Sequence, residues 1–287
     1  MDKLIDMHIH TIFSDGEYTP DETIQKAINN NIGIMAITDH DSIEGIKRVD
    51  KTLYPEIEII NGIELSAKVR KGTMHILGYG IDLKNPDLNN KIIELRKNSL
   101  RAVKAIIEQI KYDYNIVFSN RDIEELYEKT EYKNIGRPDV AKLCIKYGYT
   151  KTSPEAFRKY LGPAHEKTRE KSKGIQYEEC IDLIRKSGGI PVLAHPVTLD
   201  MNYVEFINTL KHMIEVGLGG LEVYHSLHDE FDANYYLNIA KEYNLLISGG
   251  SDYHGPIVKP GLELGTGYGN LKIKQLTLVD ELHKRAK

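Results

Sequence analysis

Residues 3–10, Lys-Leu-Ile-Asp-Met-His-Ile-His, alternate with a period of two, so Leu4, Asp6, His8 and His10 share one face of a strand and Ile5, Met7 and Ile9 the other. His8 and His10 then point the same way, roughly 7 Å apart at about 3.3 Å per residue. A metal at about 2.0–2.1 Å from each nitrogen fits between them once the strand twists and the rings lean together. Ser14-Asp15-Gly16 is a turn signal that ends the strand and brings a carboxylate back over the histidines. The pattern of histidine and acid at strand ends recurs at Asp39 and His40, Glu64, His195, His225, and Asp252 and His254. The donors are imidazole and carboxylate without thiolate, which suits Zn, Mn or Fe. His8, His10, Asp15, His40, Glu64, His75, His195, Asp252 and His254 are more ligands than one ion can use, so two or three divalent ions sharing a bridging carboxylate are expected. Two ions about 3.5–4 Å apart acidify a bridging water and clamp both the attacking and the leaving oxygen, which suits phosphate-ester hydrolysis.

The elements that must position these residues read in order. Thr19-Pro20-Asp21-Glu22 is a capping box opening a helix to about residue 31. A strand over 34–38 ends in Asp39-His40, and a helix is expected from Asp41 or Ser42 to about Leu53, with Asp41 as its N-cap. Strands follow over 57–63 and 74–79. The link over 67–72 is too short for a parallel crossover, which needs a dozen or more residues. The fourth strand is therefore expected to return antiparallel and to bring His75 close to Glu64. Between 85 and 173 the alternation stops, and helical spacing predicts helices over 88–111, 119–130 and 138–147 and one capped by Ser153-Pro154-Glu155, with a charged linker over 167–173. Then come a helix over 177–186, a strand over 191–194, a helix over 203–216, a strand over 221–224, a helix over 231–243, a strand over 245–248 and a final helix.

Seven strands in mostly β-then-α order predict an α/β fold, a distorted (β/α)7 TIM-like barrel. Residues 1–84 and 174–287 make the barrel and 85–173 a helical insertion domain covering the active site. In such barrels active sites lie at the C-terminal ends of strands, which is where the candidate ligands fall.

Composition narrows the classes. A net charge of −4 argues against a broad nucleic-acid surface while allowing a small cationic pocket for phosphate. No apolar run reaches the length of a membrane span, and no apolar signal region precedes the first strand, so a cytoplasmic protein is expected. Cys144 and Cys180 make no disulfide framework and read as packing residues. A monomer acting on a small phosphorylated substrate is the expectation.

The motifs Asp-Met-His-Ile-His-Thr, Ser14-Asp15-Gly16, Thr38-Asp39-His40-Asp41, Gly62-Ile63-Glu64, His75-Ile-Leu-Gly, Ala194-His195-Pro196 and Gly250-Ser251-Asp252-Tyr253-His254-Gly255 resemble the PHP family, the polymerase and histidinol phosphatase domain. They stand in family order over almost the whole chain. The insertion with Gly136-Arg137-Pro138 resembles the stand-alone branch that hydrolyses nucleoside 3′,5′-bisphosphates or trims short oligonucleotides from the 5′ end. By that resemblance one ion is held by His8, His10, Glu64 and Asp252, a second by Glu64, His75 and His195, and a third by Asp15, His40 and His254. The implied reaction is attack of a metal-bound hydroxide on a nucleotide phosphate monoester, with Arg137 gripping a phosphate through its planar fork. Arg101, His225 and His228 are further candidates for substrate binding. The family often has His after Gly-Arg-Pro, whereas this chain has Asp139, which Lys142 is expected to neutralise. Asp39 is expected to orient a ligating imidazole. Histidinol-phosphate phosphatase, an amidohydrolase acting on a carbonyl substrate, and a metal-binding module without catalysis are the competing readings.

Overall fold

In a computed structural model, which describes residues 3–168 and 174–286, seven strands form one sheet in chain order. They are β1 (Leu4–Asp6), β2 (Ile32–Ile37), β3 (Glu58–Ala67), β4 (Met74–Tyr79), β5 (Ile190–Leu193), β6 (Gly220–His225) and β7 (Leu246–Gly250). β4 runs antiparallel to both neighbours, as its short link requires, and the remaining pairings are parallel. The chain beyond β1 and β7 nearly closes the barrel. Met7 N–H donates to Gly249 O at 3.1 Å, Asp252 N–H to His8 O at 2.8 Å, and His10 N–H to Tyr253 O at 2.9 Å. The expected α/β barrel is the observed fold.

The helices are α1 (Pro20–Asn29), α2 (Glu44–Lys47), α3 (Pro86–Tyr114), α4 (Asn120–Glu128), α5 (Arg137–Lys146), α6 (Ser153–Ala156), α7 (Gly162–Thr168), α8 (Tyr177–Lys186), α9 (Tyr203–Glu215), α10 (Glu230–Glu242) and α11 (Thr277–Arg285). Thr19 and Glu22 cap α1 reciprocally, and Asn202 with Glu205 does the same for α9. One core packs the sheet against α1, α8, α9 and α10, through Ile24, Ile181, Leu210 and Ile239. A second joins Ile5, Met7, Leu77 and Val192 to the segment from Leu271 to Val279. A third lies among α3 to α7, around Ile106, Val140, Cys144 and Leu161. Leu88, Ile92 and Leu95 of α3 belong to the first core, so the early turns of that helix pack on the barrel. Cys144 and Cys180 are buried free thiols. Among the described residues, no helix is long and apolar enough to cross a membrane.

Four local expectations are corrected. The helix expected from 41 or 42 to 53 is only α2 plus a 3-10 turn over Lys51–Leu53. Asp41 does not cap it. Its φ is 47°, and its Oδ1 accepts from Ser66 N–H while Oδ2 accepts from Asn134 Nδ2. Gly45 sits so close to Asp39 that a Cβ would meet Oδ2 at 2.3 Å, and Asp50 turns the chain by accepting from Thr52 N–H. β3 runs on to Ala67 because Gly62–Ala67 pairs with β4. In the expected charged linker, residues 167 and 168 close α7 and residues 169–173 lie outside the described residues.

Candidate metal centre

Glu64 is the hub. β3 carries it, fully buried, to the point where the parallel part of the sheet meets the antiparallel excursion. Its Oε2 lies 3.2 Å from His8 Nε2, 3.2 Å from His10 Nε2 and 3.1 Å from His40 Nδ1. Its Oε1 lies 2.9 Å from His75 Nδ1 and 3.0 Å from His195 Nε2. Asp252 Oδ1 is 3.2 Å from His10 Nε2 and 3.6 Å from His8 Nε2. Asp15 Oδ1 is 3.1 Å from His254 Nε2, and His254 stacks on His10 with ring centroids 4.0 Å apart. Every one of the nine ligand candidates read from the sequence is therefore in one basin. The period-two alternation converges His8 and His10 to 5.2 Å between ring centroids, although the regular strand ends at Asp6 and Ile9 makes an isolated bridge to Tyr253.

The donor set fits divalent ions. His8 Nε2, His10 Nε2, Asp15 Oδ1, His40 Nδ1 and Glu64 Oε2 are buried without a hydrogen-bond partner, a costly state for polar atoms unless a ligand satisfies them. The donors fall into overlapping groups compatible with one ion each, including His10 with Asp15, His40 and His254, His8 with His10 and Asp252, and His40 with Glu64 and His75. Burial opposes charge on Glu64, yet the imidazoles of His40, His8 and His75 hold its carboxyl well below the usual range. Burial likewise opposes charge on Asp252 and Asp15. Lys259 and His8 hold Asp252 low, and His254 and His40 hold Asp15 low. The carboxylates are thus ionised, the form that ligates.

A layer behind these donors holds them in place. Asp39 does not touch an imidazole, contrary to expectation. It accepts from Thr11 N–H at 2.7 Å and from Ser14 Oγ at 2.6 Å, and Ser14 Oγ lies 3.3 Å from His10 Nδ1. Asp39 therefore shapes the turn that carries Asp15 and reaches His10 only through Ser14. His195 has φ 22° and Asp252 φ 57°, left-handed backbone that these side chains seldom adopt and that clusters at functional sites.

A cavity of about 250 Å³ opens outward from Asp15, His40 and His75 to Asn134, Arg137 and Phe157. Arg137 starts α5 with its guanidinium 5.5 Å from the Phe157 ring centroid. A second cavity of about 280 Å³ shares Ser66, Thr73, His75 and Arg137 with the first and adds Lys68 and His165. Asp139 is neutralised by Lys133 Nζ at 2.8 Å, not by Lys142, whose ammonium reaches Asp15 O at 3.4 Å. The helix places Lys142 on the outer side, while Lys133 precedes it and points inward.

The other substrate candidates lie elsewhere. Arg101 is exposed on α3, bonded to Asn98 Oδ1 at 3.0 Å, and lines neither cavity. His225 and His228 are buried behind the basin and line neither cavity either. His225 Nδ1 accepts from Leu227 N–H at 3.1 Å, which leaves the proton on Nε2, 3.2 Å from Asp252 Oδ2. His228 Nδ1–H donates to Val223 O at 2.8 Å, and its ring packs on Tyr236. Two residues escaped the sequence reading. Glu222 stands beneath His8 and His195, and its signal was a lone acid between Leu221 and Val223 in an apolar strand. Lys259, which pairs with Asp252 Oδ2, sits in a glycine-rich loop that marks nothing by spacing.

Residues 6–142 match the family model described as the PHP domain. The chain is 29% identical over 258 residues to a 3′,5′-nucleoside bisphosphate phosphatase of Chromobacterium violaceum, covering 88% of this chain and 87% of that protein. It is 26% identical over 266 residues to the 5′-3′ exoribonuclease Rnm of Salmonella typhimurium, covering 91% of this chain and 88% of that one. A crystal structure from Bifidobacterium adolescentis, described provisionally as a metal-dependent phosphoesterase, superposes with a TM-score of 0.82 at 28% identity, over 99% of this chain and 96% of that one.

Proposed function

We infer, from the match of residues 6–142 to the PHP domain and from the site, that the chain is a metal-dependent phosphoesterase whose substrate is a nucleotide phosphate monoester, the 3′-phosphate of a nucleoside 3′,5′-bisphosphate. The observation that carries this reading is the set of buried, unpartnered donors around Glu64. His8, His10, Glu64 and Asp252 would hold one ion, Glu64, His75 and His195 a second, and Asp15, His40 and His254 a third, with Mn, Fe or Zn as the metal. When bound, such ions supply an acidified water and positive charge for in-line displacement at phosphorus.

The chain's own residues do the rest. Arg137 presents paired N–H donors at the cavity wall, where they fit two oxygens of a phosphate. Lys133 cancels the charge of Asp139, so the acid beside Arg137 does not repel the substrate. A carbonyl substrate would have no use for that arginine, which weighs against an amidohydrolase. Free, buried Cys144 and Cys180 suit a reducing compartment, and so a cytoplasmic enzyme.

A second reading has its own support. The cavity beyond Arg137, with Lys68 on its wall, offers room for a further nucleotide, and the Salmonella relative is named an exoribonuclease. The deciding experiment loads the purified chain with Mn²⁺, Fe²⁺ or Zn²⁺, counts ions per chain and assays 3′-phosphoadenosine 5′-phosphate, a short 5′-phosphorylated RNA and histidinol phosphate side by side. Two or three ions with preferred 3′-phosphate release from the bisphosphate are expected. Preference for the RNA moves the function to exonuclease trimming, and preference for histidinol phosphate overturns the nucleotide assignment.

A further inference from the structure

We propose that Glu222 is a positioning residue for the metal centre, one carboxylate that holds two candidate ligands from beneath. The proposal rests on reading the basin around Glu64 as a metal site. Glu222 is fully buried on β6 between Leu221 and Val223, which are buried too. Nothing in the packing of that strand calls for an acid, and a buried carboxylate is unfavourable unless donors surround it.

The donors are specific. His8 Nδ1 lies 2.9 Å from Glu222 Oε1, and His195 N–H donates to Oε2 at 2.6 Å. A carboxylate only accepts, so the proton of neutral His8 stays on Nδ1. The lone pair of His8 Nε2 is then left facing Glu64 and Asp252, where it has no hydrogen-bond partner. The second oxygen anchors the backbone of His195, whose φ of 22° is one that a histidine rarely takes unaided. That anchor aims His195 Nε2 at Glu64 Oε1, 3.0 Å away. One side chain therefore sets a tautomer on one flank of Glu64 and a backbone conformation on the other.

The same geometry argues against a further ion at this point. His8, Glu222 and His225 are close enough to form a ligand group. However, His225 Nδ1 is occupied by Leu227 N–H, its Nε2 faces Asp252, and His8 Nδ1 is committed to Glu222. An ion there would have to displace protons from both rings. Hydrogen-bond partners of this kind typically shift metal affinity by 10- to 100-fold.

The test is equilibrium dialysis of the full chain against Mn²⁺, with Co²⁺ loading read by its visible spectrum. Glu222→Gln keeps the size of the side chain, but its amide nitrogen must face one of the two N–H donors. The expected result is Mn²⁺ binding about 10- to 100-fold weaker than wild type and an altered Co²⁺ band. A purely structural role would lower the unfolding midpoint of the metal-free protein and leave the affinity and the Co²⁺ spectrum of the folded fraction unchanged. That result overturns the proposal. Should Glu222→Gln not fold, Glu222→Asp keeps the charge and shortens the reach by one methylene. It is expected to weaken binding and shift the band, and wild-type values for it overturn the proposal equally. Binding rather than turnover is read, so the outcome is independent of which ester the enzyme hydrolyses.

Discussion

Lys133 Nζ lies 2.8 Å from Asp139 Oδ1, both side chains are buried, and the same ammonium donates to Ser14 O at 2.6 Å. Asp139 Oδ2 also accepts from Gly136 N–H at 2.9 Å. The pair thus ties the start of α5, and Arg137 with it, to the turn that carries Asp15. Removing only the ammonium strands a buried carboxylate, so Lys133→Met is expected to cost about 3–5 kcal/mol. Adding Asp139→Asn should recover part of that loss, because the stranded charge goes with it. Denaturant unfolding of both single variants and the double variant measures the coupling. An unchanged midpoint for Lys133→Met would show that the pair carries no stability.

Arg137 lines both cavities, and its guanidinium is held over Phe157. A charge-assisted hydrogen bond is worth about 1.5–3 kcal/mol, so Arg137→Ala should lower kcat/KM on the bisphosphate by roughly 10- to 100-fold. Lysine should restore little, because it offers a point charge in place of two aligned donors. Metal content should stay at the wild-type level, since Arg137 contacts none of the candidate ligands. Steady-state kinetics with metal counts on the same samples check both halves, and full activity in the alanine variant removes Arg137 from the substrate site.

Without metal, the buried imidazoles differ in which of them holds a proton. Burial works against a charge on His10, but the carboxylates of Asp252 and Glu64 raise its pKa to about 9, whereas burial pushes His40 down to about 3. Unfolded, both titrate near 6.5. The raised value of His10 stabilises fully below the unfolded pKa and is lost as pH rises through about 9. His40 acts in the opposite sense, because the folded state refuses a proton that the unfolded chain accepts, so stability falls as pH drops below the unfolded value toward about 3. Chelator-treated protein is therefore expected to be most stable near pH 6.5, about the unfolded value, with an alkaline loss on the order of 3 kcal/mol. Bound Mn²⁺ should abolish the alkaline limb, because the imidazoles are then neutral ligands. Thermal melts across this pH range, with and without Mn²⁺, test the sign, and a metal-free midpoint that stays flat from the unfolded value near 6.5 up to about 9 would refute the His10 contribution.

Local rules reached much of this site. His8 and His10 followed from alternation, and the meeting of His75 with Glu64 from a link too short to cross over. The strand-end positions of His40, His195, Asp252 and His254 followed from where apolar runs stop. What escaped depends on contacts made across the sequence. Asp41 looks like an N-cap beside Ser42, but Ser66 N–H and Asn134 compete for its carboxylate and win. Lys142 is the helical neighbour of Asp139, yet the buried partner comes from the segment before the helix. His225, a candidate for substrate binding, has its Nδ1 held by the backbone N–H of Leu227, which leaves its Nε2 facing Asp252.

Gly250 shows how tightly β7 is fitted beneath the ligands. A Cβ there would lie 2.3 Å from His8 N, 2.6 Å from His8 Cβ and 2.8 Å from Asp6 Oδ1. The first two atoms belong to the backbone and root of a candidate ligand. The third belongs to a buried carboxylate that accepts from Ser251 N–H and Ser251 Oγ, at 2.8 and 2.6 Å, just before Asp252. None of these atoms is the loose end of a flexible side chain, so the strain cannot be relieved by a rotamer change. Gly250→Ala must push β1 away from β7, where Met7 N–H and Gly249 O join the two. Overpacking of this kind costs typically about 1–3 kcal/mol, and here the displaced groups are His8 and the approach to Asp252. The expected variant is folded, with a lowered melting temperature and a reduced Mn²⁺ affinity, which Arg137→Ala leaves unchanged. A surface control such as Tyr112→Ala, at an 85% exposed position, should leave both unchanged. Wild-type Mn²⁺ affinity in Gly250→Ala would mean that the seam between β1 and β7 yields without moving His8.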